Sequence, residues 1–200
     1  MGLYGIKKIA VKRKILSLFI LLFALLYNFT NKKITLVILF SFFTIFLIFD
    51  LFNYFSRGKN KASKFFFKLY PKKKKEYNSL LSDATLFFIS TILLILIFQK
   101  EIVILSLILL MSVDAGEQIF GILIKSKKLP WNKDKSWMGT FMGFLIGIIT
   151  LYIVITTILE NIPFIIILPT SFIAAIAGTS KKFDNILIPW CVAIILAILL

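Results

Sequence analysis

Long apolar runs, repeated along almost the whole chain, decide what this sequence can fold into. They fall at about residues 15–30, 34–55, 79–98, 101–124, 138–158, 162–179 and 186–200. A hydrocarbon core ~30 Å thick takes ~20 apolar residues in a helix. The first and last runs are short for that distance, so tilt or flanking residues would have to extend them. Hydrophobic residues make up 60% of the chain, against about 45–50% in a soluble domain, and mean hydropathy is +0.96. No polar remainder is large enough for a separate soluble domain, and no internal repeat is visible. The expected architecture is all-α: one integral membrane domain over residues 1–200, a polytopic transmembrane bundle of about seven spans.

The net charge of +15 does not point to nucleic acid. Its Lys and Arg residues sit in short segments between apolar runs, as topology signals do, rather than on an amphipathic or aromatic-interleaved surface. Only Lys32, Lys33 and Lys100 fall on one side of the alternating runs; the other 21 of the 24 cations fall on the opposite side. The positive-inside rule then expects the N-terminus and the basic loops in the cytoplasm. No small-residue cleavage site follows Leu26, so the first run is read as a retained span rather than a signal peptide. The basic, Phe-containing segment from Arg57 to Lys75 reads first as a contact with anionic lipid. The bias to Lys, Ile and Phe hints at a bacterial plasma membrane.

Histidine is absent and Cys191 is the only cysteine. The commonest neutral-pH base is therefore missing, and neither an internal disulfide nor a cysteine metal site can form. Attention falls on acidic groups inside the runs, which are costly in a membrane and mark function. Asp114 and Glu117 are spaced i, i+3 and share a helix face, with Gly121 one turn further along it. Two carboxylates followed by a glycine suit an oxygen-liking cation such as Mg²⁺, shared with substrate phosphates. The competing reading pairs them with a lysine from another span, and no span interior contains one. Asp50 and Asp83, near run ends, are expected to face water or nearby lysines. Asp184, ahead of the last run, reads on position alone as a helix cap.

The segment Lys127 to Thr140 combines cations, a hydroxyl and a Gly-Thr pair at the start of the next run. Helix N-termini and Lys ammoniums both suit phosphate. Equally, it reads as a basic loop capped by Ser136, with Trp131 and Trp137 anchored at the interface.

Those residues carry a resemblance. Asp114 with Gly121, then Lys128-Leu129-Pro130, Asn132 and Lys135-Ser136-Trp137-x-Gly139-Thr140, resemble the polyprenol kinase family, which includes phytol kinase, dolichol kinase and CTP-dependent diacylglycerol kinase. Asp184-Asn185-Ile186-Leu187-Ile188-Pro189 is similar to the family's Asp-Asn-x-x-x-Pro element. Arg13-Lys14-Ile15-Leu16-Ser17 is similar to its Arg-Lys-x-x-His element, with Ser17 where His is usual. Glu117 stands where a small residue is common. A Glu usual shortly before the Asp-Asn pair is replaced here by the stretch Ala174 to Gly178, which leaves Glu117 as the carboxylate available to compensate.

The resemblance implies transfer of the γ-phosphoryl group of CTP, or of ATP, to the hydroxyl of a membrane lipid alcohol, at a site facing the cytoplasm. It implies Asp114 as Mg²⁺ ligand with Asp184 or Glu117, and Asp184 as the group that activates the lipid hydroxyl. Lys128 and Lys135 would neutralise phosphates. Ser136, Gly139, Thr140, Asn132, Asn185 and Gly121 would shape the nucleotide site, with Arg13 and Lys14 in support. Two other classes remain: a cytidylyltransferase acting on a lipid phosphate, and a non-catalytic membrane protein or small transporter.

Overall fold

The computed structural model describes residues 21–56, 81–159, 162–181 and 183–200. Arg13, Lys14, Ser17 and the Arg57–Lys75 segment lie outside them. The described residues form helices and no β-strand: α1 (21–29), α2 (Lys32–Ser56), α3 (Asp83–Ile97), α4 (Lys100–Leu123), α5 (Trp137–Thr157), a 3₁₀ turn (Phe164–Ile166) running into α6 (Ile167–Gly178), and α7 (Asp184–Leu199). Each coincides closely with an apolar run of the sequence.

Many of these helices are rich in Ile, a mediocre helix former in water. In hydrocarbon the balance would reverse, because any backbone N–H left unpaired there costs several kcal/mol. Hydroxyls inside the helices follow the same demand. Ser41, Thr44, Thr91 and Ser106 each donate back to the carbonyl four residues earlier. Three helices, α2, α4 and α5, are long and apolar enough to cross a membrane; α3, α6 with its 3₁₀ turn, and α7 are apolar but shorter.

Helix α4 is the central post. Of its most apolar window 72% is buried, against 17% for α2 and 33% for α5. It packs against α3, α5, α6 and α7, and Leu105, Leu107, Leu109 and Val113 are fully buried along it. To one side, α1, α2 and α3 are joined by phenylalanine rings. Phe23 meets Phe42 and Phe88 edge-on, with centroids 5.5 and 5.6 Å apart, and Phe46 reaches Phe88 at 5.3 Å. Trp190 of α7 ties to α3 by donating its indole N–H to Ser90 Oγ at 3.0 Å.

The two ends of the bundle differ. At one, Lys100 donates to the carbonyls of Asn28 and Thr30, and Lys32 to that of Leu96. At the other lie the α4–α5 loop, the end of α6 and the start of α7, together with Lys125, Lys127, Lys128, Lys133, Lys135 and Lys181.

Asp50 corrects its sequence reading. It does not face water: it is 3% exposed. Its Oδ2 accepts from the Ser82 backbone N–H (2.7 Å), the Ser82 hydroxyl (2.8 Å) and the Thr85 hydroxyl (2.5 Å). Ser82 is the N-cap of α3, so a carboxylate from α2 satisfies donors at a helix start, where negative charge is favoured. Replacing Asp50 with Ala orphans those donors. Asp50→Ala is expected to lower stability by about 2–4 kcal/mol, and Asp50→Asn by less, since its carbonyl still accepts; detergent-denaturation curves of the purified protein measure both.

Candidate functional site

Helix α4 brings Asp114 and Glu117 to the end of the bundle where the α4–α5 loop folds back. Lys135, the last loop residue but one before α5, turns its side chain inward. Its Nζ donates to Glu117 Oε2 at 2.6 Å and to Asp114 Oδ1 at 3.1 Å. Gln118 Nε2 donates to the same Asp114 oxygen at 2.8 Å. The three charged side chains are 9% (Lys135), 12% (Asp114) and 0% (Glu117) exposed. Burial on its own would favour the neutral amine, but the carboxylates of Asp114 and Glu117 outweigh it and hold the Lys135 ammonium above its ordinary range. The lysine therefore stays charged at neutral pH. Removing one partner from such a buried pair typically costs about 3–5 kcal/mol.

No span interior supplies this lysine, yet the carboxylates are paired all the same. The cation comes from the loop, and non-local contacts place it. Asn132 Nδ2 donates to the carbonyls of Thr179 and Ser180, both at 2.9 Å, and Trp131 Nε1 donates to Thr179 Oγ1 at 3.1 Å. The loop is thus clasped to the end of α6. Lys135 N donates to the Asn132 carbonyl, and Leu129 N to that of Lys135. Ser136 then caps α5, accepting from Gly139 N at 3.2 Å.

Glycines set how closely the helices approach. Gly139, Gly143 and Gly147 recur every four residues along α5 and are buried against α4. A Cβ on Gly139 would stand 2.6 Å from the Glu117 carbonyl, and one on Gly143 would stand 2.5 Å from Glu117 Cγ and 3.1 Å from the Val113 carbonyl. Small residues at this spacing let backbones approach in membranes. Gly178, at the end of α6, completes the enclosure: its Cβ would stand 2.7 Å from Glu117 Oε1. The Glu117 carboxylate therefore fills the space that a side chain at 178 would take, and its Oε1 has no hydrogen-bond partner among the described residues.

The remaining sequence-derived residues divide. Asp184 heads α7, half-buried, within electrostatic reach of Asp114, Lys135 and Asp83. It is not the cap. That position is Phe183, which makes no side-chain cap bond and has a left-handed backbone (φ 64°); Asp184 Oδ1 accepts from the next N–H, that of Asn185. Gly121, Ser136 and Gly139 pack together at the start of α5. The Thr140 hydroxyl donates back to the Ser136 carbonyl. Asn132 spends its amide on the clasp and its Oδ1 on Asp134 N, which makes it a loop anchor. Lys128 lies exposed on the outer side of the loop. Gln118, Gly143, Gly178 and Thr179 escaped the sequence reading. Of these, only Gly143 carried a legible signal, the four-residue glycine spacing of α5.

Among the described residues no three His, Cys, Asp or Glu side chains gather tightly enough to hold a metal ion unaided. Asp114 and Glu117 nevertheless direct one oxygen each at a single cation, the Lys135 ammonium. Such a donor pair fits Mg²⁺, which usually takes one or two carboxylates and completes its shell with water and substrate phosphate. No family model, curated protein or solved structure matches the chain.

The glycine contacts give a prediction of sign. In an open helix Gly→Ala stabilises by about 1 kcal/mol. At Gly143 the methyl group would meet Glu117 and a backbone carbonyl, so Gly143→Ala is expected instead to destabilise by about 1–3 kcal/mol, read as a lower melting temperature in detergent.

Proposed function

We propose that this chain is a membrane-embedded lipid-alcohol kinase that moves the γ-phosphoryl group of a nucleoside triphosphate, CTP in the first instance, to a lipid hydroxyl. One observation carries the reading. Residues far apart in sequence that bear the resemblance (Asp114, Lys135, Ser136, Gly139 and Asp184) gather at one end of an apolar bundle, with the charged ones between helices. Phosphoryl transfer asks for positioning and charge neutralisation more than for covalent chemistry. A site at the boundary of bundle and loop suits a donor that arrives from water and an acceptor that stays in lipid.

In this reading Asp114 and Glu117 hold Mg²⁺, with Asp184 nearby as a third carboxylate. Mg²⁺ bound there would offset charge on the transferred group. Lys135 is the ammonium nearest the phosphates. Asp184, at the head of α7, takes the proton from the lipid hydroxyl, a role open to a carboxylate in a chain without His. The first N–H groups of α5 are already engaged, Trp137 N by the Lys127 carbonyl, Met138 N by Ser126 Oγ and Gly139 N by Ser136 Oγ, so this helix N-terminus would favour phosphate through its dipole rather than through free donors. The expected setting is a multi-pass protein of a bacterial plasma membrane with this end in the cytoplasm.

The completeness of the Lys135 pairing favours a second reading, in which the three charged groups only lock the loop to the bundle and the protein is not catalytic. Asp114→Asn separates them. Under the kinase reading it keeps the protein inserted and lowers lipid phosphorylation by at least ~100-fold. The assay uses a panel of phytol, polyprenol and diacylglycerol with γ-labelled CTP or ATP; no labelled lipid from the unaltered protein, and no nucleotide binding, would support the lock. Label entering lipid from α-labelled CTP would instead identify a cytidylyltransferase.

A further inference from the structure

Lys135 does more than neutralise its neighbours. Its Nζ touches one oxygen of each carboxylate, at 2.6 and 3.1 Å, which is where an ion shared by Asp114 and Glu117 has to stand. A dication placed there would meet the ammonium at close range in a water-poor setting, where like charges repel strongly. The backbone around Lys135 is fixed: its N–H and carbonyl are both hydrogen-bonded, Asn132 is clasped to α6, and Ser136 caps α5. What remains free to move is the side chain, a point charge on a flexible four-carbon stem. The Glu117 carboxylate is wholly buried, yet its Oε1 lacks a hydrogen-bond partner among the described residues, so it retains lone pairs that the ammonium does not use.

We propose that the Lys135 ammonium is the resident cation of this carboxylate pair, and that a divalent ion reaches Asp114 and Glu117 only when a phosphate group offers Lys135 another anion. The phosphate half of this inference rests on the nucleotide-dependent reading above; the cation-seat half does not. Metal and phosphate then bind with positive coupling, and by linkage each raises the affinity of the other by the same factor.

The experiment follows Mn²⁺ by electron paramagnetic resonance with the full chain in detergent or lipid nanodiscs. Without phosphate, the unaltered protein is expected to leave Mn²⁺ free up to about 1 mM, and Lys135→Gln to bind one Mn²⁺ per chain at least ~10-fold more tightly. Adding Glu117→Gln to Lys135→Gln should erase the gain, and Lys133→Gln, at an exposed lysine, should not produce one. Cytidine monophosphate, a weak chelator, should lower the Mn²⁺ Kd of the unaltered protein by a similar ~10-fold. Equal Mn²⁺ affinity in the unaltered protein and Lys135→Gln overturns the cation seat, and no response to cytidine monophosphate overturns the coupling. Should Lys135→Gln fold poorly, its melting temperature is expected to rise with Mn²⁺ while that of the unaltered protein stays fixed; a rise of several degrees in the unaltered protein overturns the proposal. Lipid phosphorylation without a Mn²⁺ gain in Lys135→Gln would leave the kinase reading standing and remove this one, and the reverse result would do the opposite.

Discussion

Two carboxylates inside an apolar helix need a counter-charge, and much of this end of the bundle follows from supplying it. Asp114 and Glu117 sit on the most buried of the three long apolar helices described, where an unpaired carboxylate is prohibitive. Lys135 answers both, but it belongs to a loop that has to be turned back into the bundle. That turn depends on Asn132 and Trp131 gripping the end of α6, and on α5 starting directly against α4. The second condition depends in turn on glycines, because any side chain at Gly139 or Gly143 would strike Glu117 or the backbone beside it. Charge pairing, loop fold and close helix crossing are thus one connected requirement.

The helices were the legible part of the sequence. Long apolar runs have few alternatives in hydrocarbon, and their ends were marked by the charges that break them. The importance of Asp114 and Glu117 was also legible, since ionisable groups are rare in such runs. Their partner was not. Searching the spans for a lysine fails when the lysine is brought in by a loop, and the clasp that brings it joins Asn132 to Thr179 and Ser180, contacts between distant residues that no local pattern encodes. Asp50 was misread for the same reason: its donors, Ser82 and Thr85, lie on the next helix. The α5 glycine stripe was present in the sequence, but which helix it faced was settled only by packing. Gly178 looked like an ordinary small residue until the carboxylate of Glu117 was found in the space beside it.

The arrangement also bears on how stability and chemistry relate here. A buried lysine bridging two carboxylates is a tight structural tie that also concentrates three charges where little water reaches. Buried ion pairs of this kind are weak evidence for stability alone, because apolar side chains of similar volume often serve as well. Their presence where the loop meets the bundle is easier to account for if the charges are used.

Phe183 carries backbone strain at the start of the last helix. A phenylalanine in the left-handed region is strained by about 1–3 kcal/mol, and Phe183 is 54% exposed, so deep packing repays little of that energy. The strain sits at the corner that aims the first residue of α7. Glycine adopts that torsion without the steric penalty, so position 183 is one where a phenylalanine carries strain that a glycine would not.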